Sequence, residues 1–298
     1  MTERMHIFDR RLVRKRRARF AREFEDAGFL VEAVADRLLD RLGDIRNPLR
    51  RILVLGGSRG LLEAGLEHRP GCELVLASDA DAGLLPTGSP LRVVADAEAL
   101  PFGPGRFDAA VSLMVLHWVN DLPGTLVQLR NALAEDGLLL LALPGGETLF
   151  ELRQSLLQAE LECEGGGSLR VSPFTDVRDA GGLLQRAGFA LPVVDIDRIT
   201  VTYADPLRLM RELGRMGEGN ALVQRRPGPL RRRTLVRACE LYREQFGDVD
   251  GRVPATFDIL FMAAWKPHAS QPKPLPRGSA RLRLADALRV PGTDPEPG

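Results

Sequence analysis

The stretch RRILVLGGSRG at residues 50–60 constrains the fold of this chain more than any other segment. Its apolar run, Arg51–Leu55, ends in closely spaced glycines, and a helical pattern follows at residues 61–68. This order predicts a buried strand, a tight turn and a helix, which is how many nucleotide-binding loops are built. Two positions depart from the usual loop, because Val54 stands where the strand often carries an acid and Ser58 stands where a second glycine is usual.

Apolar runs and helical patterns continue to alternate after this loop. The runs predict seven strands, of which the sixth is one bent strand or a pair, at residues 51–55, 73–77, 91–95, 107–112, 138–143, 193–203 and 256–265. The helical patterns lie at residues 61–68, 122–134, 148–160, 176–187, 205–215 and 229–246. Alternation of this kind predicts an α/β fold, a doubly wound, mostly parallel seven-stranded sheet with helices on both faces.

The chain of 298 residues is long enough for one large domain with additions. We expect an amino-terminal helical segment at 1–45 and a main domain at 46–266. That domain carries a helical insertion, or cap, at about 205–250, just before the last strand. Residues 267–298 are rich in proline and predict an extended tail.

The charge balance argues against a protein that coats nucleic acid, because the net charge is only +1. Basic residues are nevertheless clustered at 10–22 and at 225–237. Each cluster is either a solvated helix face or a contact for an acidic protein or an anionic lipid, and the lipid contact would bring the protein close to a membrane surface.

Cysteine content and hydropathy favour a cytoplasmic location. The three cysteines are scattered without paired spacing, which fits a reducing compartment. No apolar run reaches the roughly 18 residues that a membrane span requires. Acidic residues interrupt the arginine-rich start, which is atypical of a mitochondrial transit peptide.

Candidate site residues lie where the predicted strands end. In an open parallel sheet, ligands bind outside the carboxyl ends of the strands. The residues at those ends are Gly56 and Gly60 after the first strand, Asp79 after the second, Asp96 and Ala97 after the third, and Ser112 and Leu113 at the fourth. Asp79 follows Gly56 at about the spacing of 20 residues expected of an acid that binds ribose hydroxyls.

Two cofactor classes compete for this site. A dinucleotide requires the pattern GxGxxG, and this loop lacks its third glycine. S-adenosylmethionine requires a tight turn, an acid for the ribose and an acid for the adenine amine, and Asp79 and Asp96 meet the last two needs. The alternative is that both acids are turn residues in a domain that binds no cofactor.

His117, in the segment LHWVNDLP, is the candidate catalytic residue. It follows the fourth strand, and the pKa range of histidine suits a general base. The alternative is that His117 and Trp118 wall the pocket or cap the next helix. A non-haem iron site needs two histidines and a carboxylate, and the four histidines show no ligand spacing, so we expect no metal site.

Four segments resemble the motifs of class I S-adenosylmethionine-dependent methyltransferases, namely ILVLGGSRG, SDADAGLL, VVADAEALPFGPGRFDAAVSLMVLHWVNDLP and LAEDGLLLLALPGGETLFELR. Further segments resemble one branch, the mitochondrial complex I assembly factor five family and its bacterial relatives. They include IFDRRLVRKRRAR, VSPFTDVRDAGGLLQRAGF, LMRELGRMGEGNA and YREQFGDVDGRVPATFDILFMAAW. The resemblance runs from about Ile7 to Ala280. A more distant likeness is to the malonyl-carrier-protein methyltransferase of biotin synthesis.

This resemblance implies a Rossmann-like methyltransferase fold, S-adenosylmethionine as cofactor, and a protein substrate in the peripheral arm of respiratory complex I. The family is associated with hydroxylation of an arginine, a reaction that needs an oxidant. If the target is an arginine, Glu212, Glu218 and Asp248 of the insertion are candidates to recognise it. Two alternatives stay open: a small-molecule or carrier-protein O-methyltransferase, and an assembly chaperone whose cofactor site has degenerated at Val54 and Ser58.

Overall fold

The computed structural model describes residues 6–56, 58–87, 91–226 and 228–271. Described residues up to 267 form one compact unit, and those from 268 belong to a second. Because the described residues end at 271, most of the predicted tail at 267–298 lies outside them. The first unit contains seven strands: β1 (Arg51–Leu55), β2 (Leu74–Asp79), β3 (Arg92–Val94), β4 (Phe107–Leu113), β5 (Leu133–Pro144), β6 (Ala190–Tyr203) and β7 (Val253–Trp265).

The strands form a single sheet in the order β3-β2-β1-β4-β5-β7-β6. The five strands β1 to β5 are parallel, whereas β7 runs antiparallel to both of its neighbours. The predicted doubly wound, mostly parallel sheet is thereby confirmed. The chain moves outward from β1 to β3 and then returns to β4, so the strand order reverses between β1 and β4, where a ligand crevice is expected.

Helices cover both faces of the sheet. They are α1 (Arg10–Ala27), α2 (Phe29–Gly43), α3 (Leu61–Glu67), α4 (Leu122–Ala132), α5 (Phe150–Glu164), α6 (Val177–Arg186), α7 (Pro206–Arg215) and α8 (Arg232–Phe246). One core contains side chains of α2, α3, α5, α7 and α8, and the other contains side chains of α4 and α6. The predicted insertion before the last strand is therefore helical, as α7 and α8.

Strand β1 places Val54 in the apolar core. Its side chains alternate between the two cores, with Ile52 and Val54 in the first and Leu53 and Leu55 in the second. Such alternation follows from the two-residue period of a strand. Val54 is fully buried, so its side chain contributes apolar packing to the first face.

Strands β5, β6 and β7 begin three or more residues earlier than predicted, and β5 and β6 also depart from the prediction in form. The sixth strand is continuous from Ala190 to Tyr203, with an irregular register only near its start. Strand β5 begins at Leu133, before the Asp136-Gly137 turn. Asp136 has a left-handed backbone with φ of 59°, and the register with β4 shifts at this point. The turn residues therefore form a bulge within the strand rather than preceding it.

The amino-terminal segment consists of two helices that are interrupted at Gly28. A Cβ atom at this position would lie 2.7 Å from the carbonyl oxygen of Phe24, which explains the glycine at the junction. Helix α1 is joined to α7 because Arg215 pairs with Glu23 at 3.0 Å and with Asp26 at 2.8 Å. The insertion and the amino-terminal helix are thus packed together.

A helix that crosses a bilayer must be both long enough and apolar enough. No helix within the described ranges of the chain meets both requirements.

Candidate functional site

A cleft opens at the strand-order reversal, between the carboxyl ends of the sheet and α1. We call it the cleft and define it by Gly56, Asp79 and Ala97 on the sheet side and by Arg14 and Arg17 on α1. Three of the predicted cofactor residues are therefore brought together. Its cavity volume is about 40 Å³, which is room for a few water molecules.

Gly56 brings the ends of three strands close together. Its φ is +89°, and a Cβ atom here would collide with the carbonyl oxygen of Leu113. Its amide donates to the carbonyl of Ser78 at 3.0 Å. Glycine is required because both the positive φ and the close approach exclude a side chain.

The rest of the loop turns away from the cleft. Left-handed backbone occurs at Arg59, with φ of 55°, and at Gly60, with φ of 96°. Gly60 packs against Pro86 and does not border the cleft. The Arg59 guanidinium donates to the carbonyl of Ala21 in α1 at 3.1 Å, so the loop supports the helix that covers the site.

Asp79 forms a buried ion pair with α1. Arg17 Nη2 lies 2.6 Å from Asp79 Oδ2, and the side chains are 12% and 0% exposed. The other carboxylate oxygen accepts the amide of Asp81 at 2.9 Å. Arg17 Nε is buried and has no hydrogen-bond partner among the described residues. Asp79, the acid predicted to bind a ribose, therefore borders the cleft, where it is paired with a guanidinium of the same chain.

Asp96 does not itself border the cleft, although its neighbour Ala97 does, and it too is held by an arginine of α1. Arg10 Nη2 lies 2.6 Å from Asp96 Oδ1, and the second arm of the same guanidinium contacts Glu98. Burial raises the pKa of Asp96, but the Glu98 amide and the Arg10 guanidinium lower it by more, so the pKa lies below its ordinary value. Both predicted acids thus pair with arginines that lie two turns apart on the same face of α1.

The fourth strand contributes to the cleft differently from the prediction. Ser112 and Leu113 are buried within β4, and neither borders the cleft. The bordering residues are Val115, Trp118 and Val119, which follow the strand. Trp118 borders the cleft, in line with the alternative that it walls the pocket. The pairing of α1 arginines with the two acids was missed; its signal was arginines spaced to share one face of the helix.

A second cavity of about 180 Å³ lies beside the cleft, and Trp118 borders both. We call it the chamber and define it by Met114, Trp118, Phe174, Met210 and Glu218. Its walls are mostly apolar. A group held in the chamber therefore lies against the same indole ring as a ligand in the cleft.

Glu218 reaches the chamber because of the way α7 ends. Gly217, with φ of +82°, turns the chain, and the amide of Glu218 donates to the carbonyl of Leu213 at 2.9 Å. This is the hydrogen bond of a Schellman motif. The following Gly219 accepts a hydrogen bond from Arg16 of α1.

His117 lies behind the chamber wall. Its side chain is 4% exposed, and its Nε2 is 3.1 Å from Glu218 Oε2. The imidazole packs against Trp118, with ring centroids 4.9 Å apart. Its Nδ1 is buried without a hydrogen-bond partner in the described part of the chain. The proton is therefore placed on Nε2, where it donates to Glu218. His117 does not border the chamber, so its geometry is that of a support for Glu218.

Arg170 also borders the chamber, but a carboxylate already neutralises it. Its Nη2 and its Nε each lie 2.6 Å from Glu160 Oε1. Glu160 is completely buried, and Ser168 donates to its second oxygen.

Among the described residues, no group of three histidine, cysteine, aspartate or glutamate side chains is arranged to hold a metal ion.

Comparison with known proteins agrees with this fold. A family model described as a methyltransferase domain matches residues 27–192. A Bacillus halodurans C-125 protein described as a methyltransferase has a similar structure, with a TM-score of 0.53 and 16% identity over 77% of this chain and 97% of that one. The YcgJ protein of Bacillus subtilis gives a TM-score of 0.52 and 12% identity, over 78% of this chain and 99% of that one. The chain therefore belongs to the methyltransferase-domain family.

The relatives that match include proteins of two names. The human protein named "Arginine-hydroxylase NDUFAF5, mitochondrial" is 42% identical over 96% of this chain and 84% of its own length, and the Danio rerio protein of that name is 41% identical over 96% and 91%. The Halorhodospira halophila "Malonyl-[acyl-carrier protein] O-methyltransferase" is 36% identical over 86% and 88%. The chain is thus a relative of the mitochondrial arginine hydroxylases along almost its whole length.

Proposed function

We propose that this protein binds S-adenosylmethionine in the cleft and modifies an arginine side chain of a peripheral-arm subunit of respiratory complex I during assembly, in the cytoplasm. The observation that carries the proposal is the identity of 41% to 42% with proteins named arginine hydroxylases, over 96% of the chain. An acidic chamber beside a nucleotide-type cleft is consistent with that substrate.

The side chains at and beside the cleft are chemically suited to bind an adenosyl group, but the cavity is too small to hold one. Asp79 and Asp96 are acceptors suited to ribose hydroxyls and to the adenine amine, and Gly56 keeps the end of β1 free of a side chain. However, both acids are paired with Arg17 and Arg10, and the void is about 40 Å³. Binding therefore requires these two arginines to release the acids.

The cleft and chamber residues have separate tasks in this proposal. Asp79 and Asp96 hold and orient the adenosyl group, Trp118 separates it from the substrate, and the apolar chamber walls exclude water. S-adenosylmethionine, when bound, supplies a sulfonium-activated methyl group. Hydroxylation, the modification that we propose, instead inserts one atom of molecular oxygen into a C–H bond and reduces the other to water with electrons from a reductant.

A second candidate function is methylation of a malonyl group on a carrier protein. The 36% identity to a malonyl-carrier-protein methyltransferase favours it. Such a substrate presents a carboxylate, which calls for an unpaired cation in the chamber. Arg170, the arginine that borders the chamber, is neutralised by the buried Glu160, which argues for the arginine substrate.

Mass spectrometry of complex I from the native host tests the proposal. The peripheral-arm subunits are purified from the wild-type strain and from a strain lacking this gene, and the masses of their arginine-containing peptides are compared. We expect one arginine peptide of the wild type to be heavier by the mass of one oxygen atom, and this difference to be absent from the deletion strain.

Two outcomes contradict the proposed reaction. A difference of one methylene group would identify methyl transfer to arginine, in which the substrate nitrogen gains the methyl group and loses a proton. Identical peptide masses in both strains would refute arginine modification and favour a chaperone that acts by binding alone.

A further inference from the structure

We infer that Glu218 is the specificity-determining residue that receives the guanidinium group of the target arginine. This inference rests on the proposed function, since it names the group that recognises the substrate. Glu218 is the one of three acidic candidates in the insertion whose position fits this task. It borders the chamber and is 21% exposed.

The other two candidates lie elsewhere. Glu212 borders a separate surface groove together with Tyr203 and Arg208. Asp248 accepts the amides of Asp250 at 3.0 Å and Arg252 at 2.8 Å, which fixes it in the turn after α8. Neither borders the chamber.

The surroundings of Glu218 suit a single cationic group. Among the described residues, Glu218 forms no ion pair with an arginine or lysine, and its side chain contacts the His117 imidazole at 3.1 Å. The Arg170–Glu160 pair contributes no net charge. Arg16 of α1 is near enough to interact electrostatically with Glu218, but its guanidinium donates to a backbone carbonyl. Glu218 therefore presents its carboxylate to a mostly apolar enclosure, where a charge-assisted hydrogen bond is stronger than in water.

The rest of the chamber suits the aliphatic part of an arginine. Met114, Phe174 and Met210 form apolar and polarisable walls, against which an alkyl stem packs while its charged end meets the carboxylate. A volume of about 180 Å³ accepts one long side chain rather than a folded segment. Trp118, shared with the cleft, then places that side chain beside the cofactor site.

His117 acts through Glu218 rather than on the substrate. It is nearly inaccessible, and its Nε2–H holds one oxygen of Glu218 at 3.1 Å. This fixes the rotamer of the carboxylate, which lowers the entropy lost when a guanidinium binds. We therefore assign His117 as a positioning residue, whereas the sequence predicted it as a base.

The test compares two small probes that differ in charge but hardly in shape: acetyl-arginine methylamide and its neutral analogue acetyl-citrulline methylamide. Both are titrated into the full-length protein, and binding is followed by nuclear magnetic resonance. We expect the wild type to prefer the arginine compound by at least about tenfold. The Glu218→Gln variant should bind both compounds equally, while the matched control Glu212→Gln should keep the preference.

A conservative variant separates recognition from folding. Glu218→Asp retains the charge and should keep part of the preference, and His117→Gln should reduce it while leaving some selectivity. The inference is overturned if the wild type binds neither compound, if it binds the two equally, or if Glu218→Gln keeps the full preference. Because the probes report binding alone, this result is independent of the peptide masses, so failure of the proposed reaction and failure of the Glu218 assignment are distinguishable.

Discussion

Glu63, on α3 directly after the glycine loop, is a buried carboxylate that has no role in the proposed site. It is 4% exposed, and neither carboxylate oxygen has a hydrogen-bond partner among the described residues. Burial raises its pKa to about 7, and the nearby charge of Glu67 adds to the effect. The carboxyl group is therefore more easily protonated in the folded protein than in the unfolded chain.

This shift predicts a pH-dependent stability. The folded pKa lies above the unfolded value of 4.5, so the contribution of Glu63 to stability is complete below pH 4.5 and is lost as the pH rises through about 7. Relative to the wild type, Glu63→Gln should gain on the order of 3 kcal/mol between those limits. Urea unfolding at both ends of the range measures it, with the exposed Glu25→Gln as control. Parallel stability profiles of Glu63→Gln and wild type would rule out the assignment.

At the residue scale, the sequence predicted the acids better than their partners. Asp79 was predictable because it follows a strand at the spacing of a ribose-binding acid. Its pairing with Arg17 was not, because the two residues meet only through packing of α1 on the sheet. Likewise, the sequence could name Glu218 only as one of three candidates. Its position at the chamber depends on Gly217, which ends α7 and turns the chain.

At the scale of elements, α1 determines whether the cleft is accessible. Three of its arginines, at positions 10, 14 and 17, face the cleft, and two of them pair with Asp79 and Asp96, the acids to which we assign the cofactor. The helix is also anchored to α7 through Arg215 and to the glycine loop through Arg59. The basic segment predicted to be solvated, or to meet a partner, is thus in part an internal contact.

Loss of the Arg17 contact should therefore affect stability and binding in opposite directions. Arg17→Gln removes one partner of a buried ion pair, which costs about 3 kcal/mol of unfolding free energy. The same change frees Asp79, and S-adenosylmethionine should bind about tenfold more tightly. Chemical denaturation and calorimetric titration of the same sample measure the two effects.

Arg19→Gln is the matched control on the same helix. Arg19 is exposed and pairs with Glu23 within α1, so its loss should change stability by less than about 0.5 kcal/mol and leave binding unaltered. Weaker binding by Arg17→Gln would contradict competition and would make Arg17 a contact for the cofactor.

Among the elements, the central strands were the most predictable. Strand β1 was predicted to the residue because its apolar run is bounded by a charge and a glycine. Strand β5 was predicted too short, because an Asp-Gly pair indicates a turn equally well before a strand and within a bulge. Whether the pair forms a turn or a bulge depends on the hydrogen bonds of the strand to β4. The local sequence does not encode these bonds.

At the scale of the whole molecule, the cleft and the chamber are joined by the elements that cover them. Arg16 of α1 donates to Gly219, next to Glu218, while Arg17 of the same helix holds Asp79. Movement of α1 to admit a cofactor would therefore act on both sites. The fold class was predictable from strand and helix alternation, whereas this arrangement depends on contacts between distant segments.

The most direct test of the account is calorimetric titration of the full-length protein with S-adenosylmethionine, wild type beside Asp79→Asn. We predict measurable binding by the wild type and a loss of at least about tenfold in the variant, because the ribose then lacks its carboxylate acceptor. No heat from the wild type up to millimolar ligand, or equal affinity of both proteins, would contradict the claim that the cleft acids hold an adenosyl cofactor.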